Sequence, residues 1–162
     1  MNVLLILILL LFSLNSNSIE ILTGKVVKVS DGDTFKILTN VKKQIKIRLS
    51  SIDCPEKKQD WGRKARKALA NIIANKVVQV EKVTVDRYKR IVGKVFYDKQ
   101  NINRKLVAEG HCWVYPEYNR DPLLPEIEAQ ARKQKLGLWK LPNPIPPWIF
   151  RKMMREKRKN KS

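Results

Sequence analysis

The chain has 162 residues, 34 of them Lys or Arg against 15 Asp or Glu, giving a formal charge of +19 and a pI near 10.2. That length suits one domain with its own core, and no internal repeat is visible. An excess of charge this large argues against a merely solvated surface and for a polyanionic partner, with nucleic acid ahead of an acidic membrane surface.

Residues 1–18 carry no charged side chain and hold an apolar run from Val3 to Leu14. The run is short for a membrane span and fits a secretory signal peptide, with Ser16 and Ser18 as the small residues before a cleavage point near Ile19. Export is therefore expected, secreted or periplasmic. No Lys or Arg precedes the run, so an uncleaved membrane anchor stays open as the alternative.

Thr23 to Val29 alternates as a strand, and SDGDT from Ser30 to Thr34 turns the chain, with Gly32 expected to take the positive φ of a hairpin turn. Phe35 to Leu38 starts the return strand. In the next strand Ile45, Ile47 and Leu49 point one way and Lys46, Arg48 and Ser50 the other, so Arg48 leaves on the polar face. Pro55 ends that run and leaves Asp53, Cys54 and Glu56 on a turn.

Trp61 to Asn75 reads as a helix, with Ala65, Leu69, Ile72 and Ile73 on one face and Arg63, Lys64, Arg66 and Lys67 on another. Val77 to Val85 and Ile91 to Tyr97 are strands joined by the charged turn VDRYKR. Ile102 to Glu109 is a short helix stopped by Gly110, and His111 to Tyr115 is extended. Asp121 and Pro122 are expected to cap a helix running to Lys135 and closed by Gly137. The run LPNPIPPW from Leu141 to Trp148 is read as too rich in proline for regular structure, ending the compact domain. Trp148, Ile149 and Phe150 are expected to pack back on the barrel. The tail from Arg151 onward holds seven Lys or Arg and one Glu and is read as a frayed basic end, with added grip on phosphates as its functional reading.

Five short strands with interleaved helices, the first three a meander, predict an α+β fold: a small closed barrel with helices outside it. Cys54 and Cys112 are the only cysteines and lack CxxC spacing. In an exported protein a bond between them would contribute roughly 4 kcal/mol, but sequence leaves the pairing open.

Charged residues recur at the strand ends: Asp33, Arg48, Asp53, Glu56 and Arg90. Three carboxylates and two arginines converging would make a hard-metal site beside an oxyanion clamp, with Asp33, Asp53 and the Cys54 carbonyl as calcium ligands. Zinc is disfavoured, because His111 is the only histidine and reads as structural. Such a set suits phosphodiester hydrolysis: Glu56 activates a water while Arg48 and Arg90 hold phosphate oxygens.

DGDT at 31–34, RLSSIDCPE at 48–56, DRYKR at 86–90 and EAQARKQKLGLW at 128–139 together resemble the thermonuclease family, known best from staphylococcal nuclease. The resemblance spans about Thr23 to Trp139. It implies an OB-fold five-stranded barrel with three helices, and calcium-dependent endonucleolytic cleavage of DNA and RNA with little sugar specificity, leaving a 3′-phosphate. By the same resemblance Asp33, Asp53 and the Cys54 carbonyl are the metal ligands, Glu56 is the general base, and Arg48 and Arg90 are the phosphate arginines. Tyr88 corresponds to a tyrosine beside the bound nucleotide, and Tyr115 is the candidate for a similar role. Two positions depart from the pattern: Cys54 stands for a threonine and Lys89 for a glycine.

The expected organisation is a signal peptide at 1–18, the nuclease-like domain at 19–141 and a Pro-rich, then basic, tail at 142–162. No stable protein partner is implied, a monomer is expected, and a membrane is a partner only if the first segment stays uncleaved. A binding module of the same fold without catalysis is the rival reading, opposed by retention of all five charged residues. A membrane-surface protein would need an amphipathic helix in the tail, and the prolines are expected to leave little of one.

Overall fold

The computed structural model describes residues 19–160, so the apolar segment read as an export signal lies outside the described residues. Eight strands and four α-helices follow in the order β1 (Ile21–Asp31), β2 (Thr34–Leu38), β3 (Gln44–Leu49), β4 (Ile52–Asp53), α1 (Gly62–Ile73), β5 (Val77–Val85), β6 (Ile91–Tyr97), β7 (Gln100–Asn101), α2 (Ile102–Ala108), β8 (Trp113–Val114), α3 (Leu124–Lys133) and α4 (Pro147–Lys159). No helix among the described residues is long and apolar enough to cross a membrane.

The main sheet runs β3-β2-β1-β5-β6-β7 and closes through a parallel pairing of β3 with β6 at Ile47↔Ile91, Arg48↔Val92 and Leu49↔Gly93. Closure gives β3 a partner on each side and leaves the two-residue β7 as the edge of this sheet. β1 serves two partners, pairing with β5 through Ile21 to Lys25 and with β2 from Lys25 to Asp31. Register shifts after Val26 and Val29 bend it between them.

Alternation fills the barrel: Val26, Phe35, Ile37, Ile47, Leu49, Ile52, Val78, Val80 and Val95 all point inward and are buried. Each such side chain contributes about 1.5–3 kcal/mol relative to exposure. α1 covers one end with Ala65, Leu69 and Ile73, and α2 another with Ile102, Leu106 and Val107. The buried Asn103 of α2 sits where the barrel closes: its Nδ2 donates to the Ser50 carbonyl (2.9 Å), and its Oδ1 accepts from the Val95 amide (2.9 Å).

β4 and β8 form a separate two-stranded ribbon, Ile52 against Val114 and Asp53 against Trp113. One residue beyond β4 and one before β8, Cys54 and Cys112 are joined by a disulfide with their Cα atoms 4.2 Å apart. The pairing left open by the sequence is made.

Four expectations need correction. Gly32 does not take a positive φ. It is glycine because a Cβ there would meet the Cβ atoms of Cys54 at 2.8 Å and Ala65 at 2.9 Å. α3 begins at Leu124, with Pro125 rather than Pro122 in its first turn and no side-chain cap at Leu123. Asp121 instead accepts from the Leu123 amide (3.1 Å) and pairs with Arg104 (2.7 Å). The barrel carries four helices rather than three, because the tail is helical. Residues 141–146 are irregular, but Pro147 occupies the first turn of α4, where a missing N–H leaves no bond unmade. Those prolines start a helix instead of preventing one. Finally, the segment does not end the compact part of the chain: Trp148 packs edge-on against Trp113 at 5.9 Å, as expected of it, whereas Ile149 is exposed.

Candidate active site

Arg48 is the hub. Its Nη1 donates to the carbonyls of Leu49 (3.1 Å) and Ile52 (3.0 Å), while its Nη2 donates to Asp53 Oδ1 (2.8 Å) and stands 3.3 Å from Asp33 Oδ2. Asp33 and Asp53, twenty residues apart in sequence and on different strand ends, thus meet at one guanidinium nitrogen. Asp33 is fixed further by the Thr34 hydroxyl (2.9 Å) and the Cys54 amide (3.3 Å). Burial opposes the charge on Arg48, but Asp33 and Asp53 outweigh it and raise its pKa, so it is permanently cationic.

The carboxylates crowd one another. Burial, then the charges of Asp33 and Glu56, push Asp31 from 3.8 to about 6. Burial likewise pushes the Asp53 carboxyl upward, with Arg151 and Arg48 pulling against it. Such a concentration of negative charge attracts cations.

Arg90 approaches from β6's leading edge. Asp86 aligns it, accepting from its Nε at 2.7 Å and its amide at 3.0 Å, and its Nη1 lies 3.4 Å from the Thr34 hydroxyl. Burial would raise the Asp86 carboxyl, but the Arg90 amide and guanidinium outweigh it and hold it below its ordinary value. Lys89 adopts φ 60°, the left-handed conformation a glycine takes without strain, so the turn is kept. Arg90 still reaches the neighbour of Asp33.

The two tyrosines part company. Tyr88 is exposed on the rim, with Arg87 and Arg90 over its ring at 4.9 and 5.4 Å. Tyr115 is stacked on Trp148, with ring centres 5.2 Å apart and planes at 3°. His111 takes no part: its Nδ1 accepts from Trp61 Nε1 at 3.2 Å, in keeping with a structural role.

Two members of the cluster, Arg151 and Asp31, are not among the charged residues the sequence singles out. Arg151, on α4, donates from Nη2 to Asp53 Oδ2 (2.7 Å) and from Nη1 to Glu56 Oε1 (2.8 Å) and Asp53 Oδ1 (3.2 Å). Nothing local marks it, since it opens a run of basic residues and lies 98 positions from Asp53. Asp31, by contrast, begins the DGDT motif.

Whether a divalent cation suits these residues is answered by the donors. Asp33, Asp53 and Glu56 offer hard carboxylate oxygens, the kind calcium takes, and the Arg151 guanidinium already stands as a cation between Asp53 and Glu56. Among the described residues no three His, Cys, Asp or Glu side chains form a ready metal cluster as they stand. The donor chemistry fits, and two carboxylates plus a backbone carbonyl would have to complete it.

A closed small barrel with phosphate-compatible arginines set among carboxylates at one end defines a nucleic-acid hydrolase of the OB-fold kind. Residues 46–141 match the family described as Staphylococcal nuclease homologue. The chain is 46% identical over 129 residues to an uncharacterized endonuclease of Escherichia coli, covering 79% of this chain and 84% of that one. It is 42% identical over 146 residues to an uncharacterized endonuclease of Haemophilus influenzae, covering 90% and 82%. To a micrococcal nuclease of Shigella flexneri it is 41% identical over 140 residues, covering 80% of each. The chain belongs to the staphylococcal nuclease family and is a nuclease, a hydrolase whose substrates are nucleic acids.

Proposed function

We propose that the protein is an exported, calcium-dependent endonuclease that cleaves both DNA and RNA with little regard for the sugar, acting as a monomer. The observation that carries the reading is the meeting of Asp33 and Asp53 on Arg48, with Arg90 one hydroxyl away. In this reading Asp33, Asp53 and the Cys54 carbonyl hold calcium, which supplies charge neutralisation at the phosphate. Glu56 takes the proton from the attacking water. Arg48 and Arg90 grip two phosphate oxygens through their forked donors as negative charge builds and the bond to the leaving oxygen breaks.

A site that recognises a phosphate and a flat base, and no 2′ position, is what sugar indifference asks for; Tyr88 and Tyr115 are assigned to the nucleotide. Export draws support from the apolar segment at 1–18 and from the Cys54–Cys112 disulfide, which persists in oxidising compartments.

The decisive experiment is degradation of plasmid and of single-stranded RNA with calcium, with chelator, and by Glu56→Gln with calcium. Cleavage of both polymers is expected in the first condition alone, with a loss of about a thousandfold for Glu56→Gln. Undiminished cleavage in chelator would remove the calcium assignment, and full activity of Glu56→Gln would remove the base.

A further inference from the structure

Two side chains of α4, three residues apart and so on one face of the helix, reach the two halves of the site. Trp148 lies flat on Tyr115, the ring assigned above to a nucleotide base, and is backed edge-on by Trp113. Arg151 lies across Asp53 and Glu56. Every oxygen of Asp53 is engaged by a guanidinium: Oδ1 by Arg48 and Arg151, Oδ2 by Arg151. The oxygen of Glu56 that accepts from Arg151 is likewise withdrawn from a water. A divalent ion on Asp53 would stand directly against the Arg151 guanidinium, cation against cation, so the two compete for that carboxylate, and a base and Trp148 cannot share one face of Tyr115.

The helix is built to leave. Pro147 is its only buried residue, Ile149 and Met153 are exposed, and the segment before it, 141–146, is irregular. Asp53 is 1% exposed at its side chain against 32% for Arg151, so the partner free to move is the arginine.

We propose that α4 is an autoinhibitory strap, with Arg151 seated in the cation position and Trp148 on the base platform, displaced when a divalent ion and nucleic acid bind together. The strap rests on the calcium reading given above. The basic residues Lys152, Arg155 and Lys157 of the same helix are exposed and add attraction for the polyanion. The strap links metal and substrate, since each removes one of the two contacts that hold it.

The test is calcium titration by calorimetry on the intact, metal-stripped chain, without nucleic acid, for the parent and for Arg151→Ala. The variant is expected to bind calcium at least tenfold more tightly. Equal or weaker binding by Arg151→Ala would overturn the strap while leaving the calcium site standing; no binding by either chain would overturn the calcium reading and the strap with it. A second measurement needs no variant. Trypsin cleavage after Arg151, Lys152 and Arg155 in the parent chain is expected to accelerate when calcium and a nucleoside 5′-monophosphate are added together, and protection of these bonds would overturn the proposal.

Discussion

The barrel contributes Asp33, Arg48, Asp53 and Arg90 from strand ends that are pinned on several sides, whereas α4 contributes Trp148 and Arg151 from a helix held by one buried proline and by the contacts of those two side chains themselves. Arg48 satisfies two backbone carbonyls and two carboxylates at once and is nearly enclosed; Arg151 meets two carboxylates from a half-exposed position. The same chemical group is thus a structural pin in one region and a removable cation in the other. What separates them is how much else each guanidinium holds.

The largest expected effect tests that difference directly. Arg48→Ala would leave Asp33 and Asp53 together in a buried place without their shared cation, and about 3–5 kcal/mol of stability should be lost along with nearly all nuclease activity. Arg151→Ala takes one of two cations from the buried Asp53, which keeps Arg48, and should cost less, about 1–2 kcal/mol. Urea unfolding of the two variants side by side decides the matter: equal losses would erase the contrast between pin and removable cation.

The disulfide sharpens it next. Cys54 and Cys112 close a loop of sequence separation 58, tying the end of β4, which carries Asp53, and the turn after it, which carries Glu56, to β8. Reduction, or Cys112→Ala, should lower stability by about 4 kcal/mol on the chain-entropy argument. The Arg151→Ala background should suffer the same loss, because α4 is not part of the stitched loop. A loss that depended on Arg151 would mean that the helix and the ribbon act as one unit.

Much of the barrel half was legible because its signals are local. Alternation in IKIRL put Arg48 on the polar face, Pro55 ended the strand, and DGDT, RLSSIDCPE and DRYKR carried the family pattern. Gly32 was identified as important for the wrong reason: a turn glycine and a glycine crowded by Cys54 and Ala65 look alike in sequence, since only packing distinguishes them. The α4 half was not legible. Its prolines signal a break when read forward and a helix start when Pro147 is counted as the first helical residue, and the choice depends on what the helix packs against. Arg151 is one of many basic residues, and its partner Asp53 lies 98 positions away in the sequence. No periodicity encodes such a contact.

Asn103 offers a smaller perturbation confined to the barrel. Its amide bridges the Ser50 carbonyl and the Val95 amide at the β3–β6 closure, and Asn103→Ala would leave both backbone groups buried and unpaired. About 1–3 kcal/mol should be lost. Hydrogen exchange at Val95 and at the β3–β6 amides should accelerate while the amides of α4 keep their parent rates; acceleration in α4 would show that the strap depends on barrel closure.

The smallest effect is a pH dependence with a definite sign. Burial holds the His111 imidazole below its ordinary 6.5, with Glu109 a weaker opposing influence. The unfolded chain therefore binds a proton more readily than the folded one, so the contribution of His111 to stability is complete above pH 6.5 and is lost as pH falls below it. Protonation also converts Nδ1 from acceptor to donor and evicts Trp61 Nε1, the bond at the entry to α1. Asp31 runs the other way. Its raised pKa gives stability that is present below 3.8 and lost as pH rises through about 6, so the raw profile mixes two opposed slopes. The difference between parent and His111→Gln isolates the histidine: a gap in unfolding free energy of about 1 kcal/mol or less should open between pH 7.5 and pH 5. That gap should be the same in the Arg151→Ala background, because His111 and Trp61 belong to the barrel side; a gap that vanished with Arg151 would place the histidine in the strap's service instead.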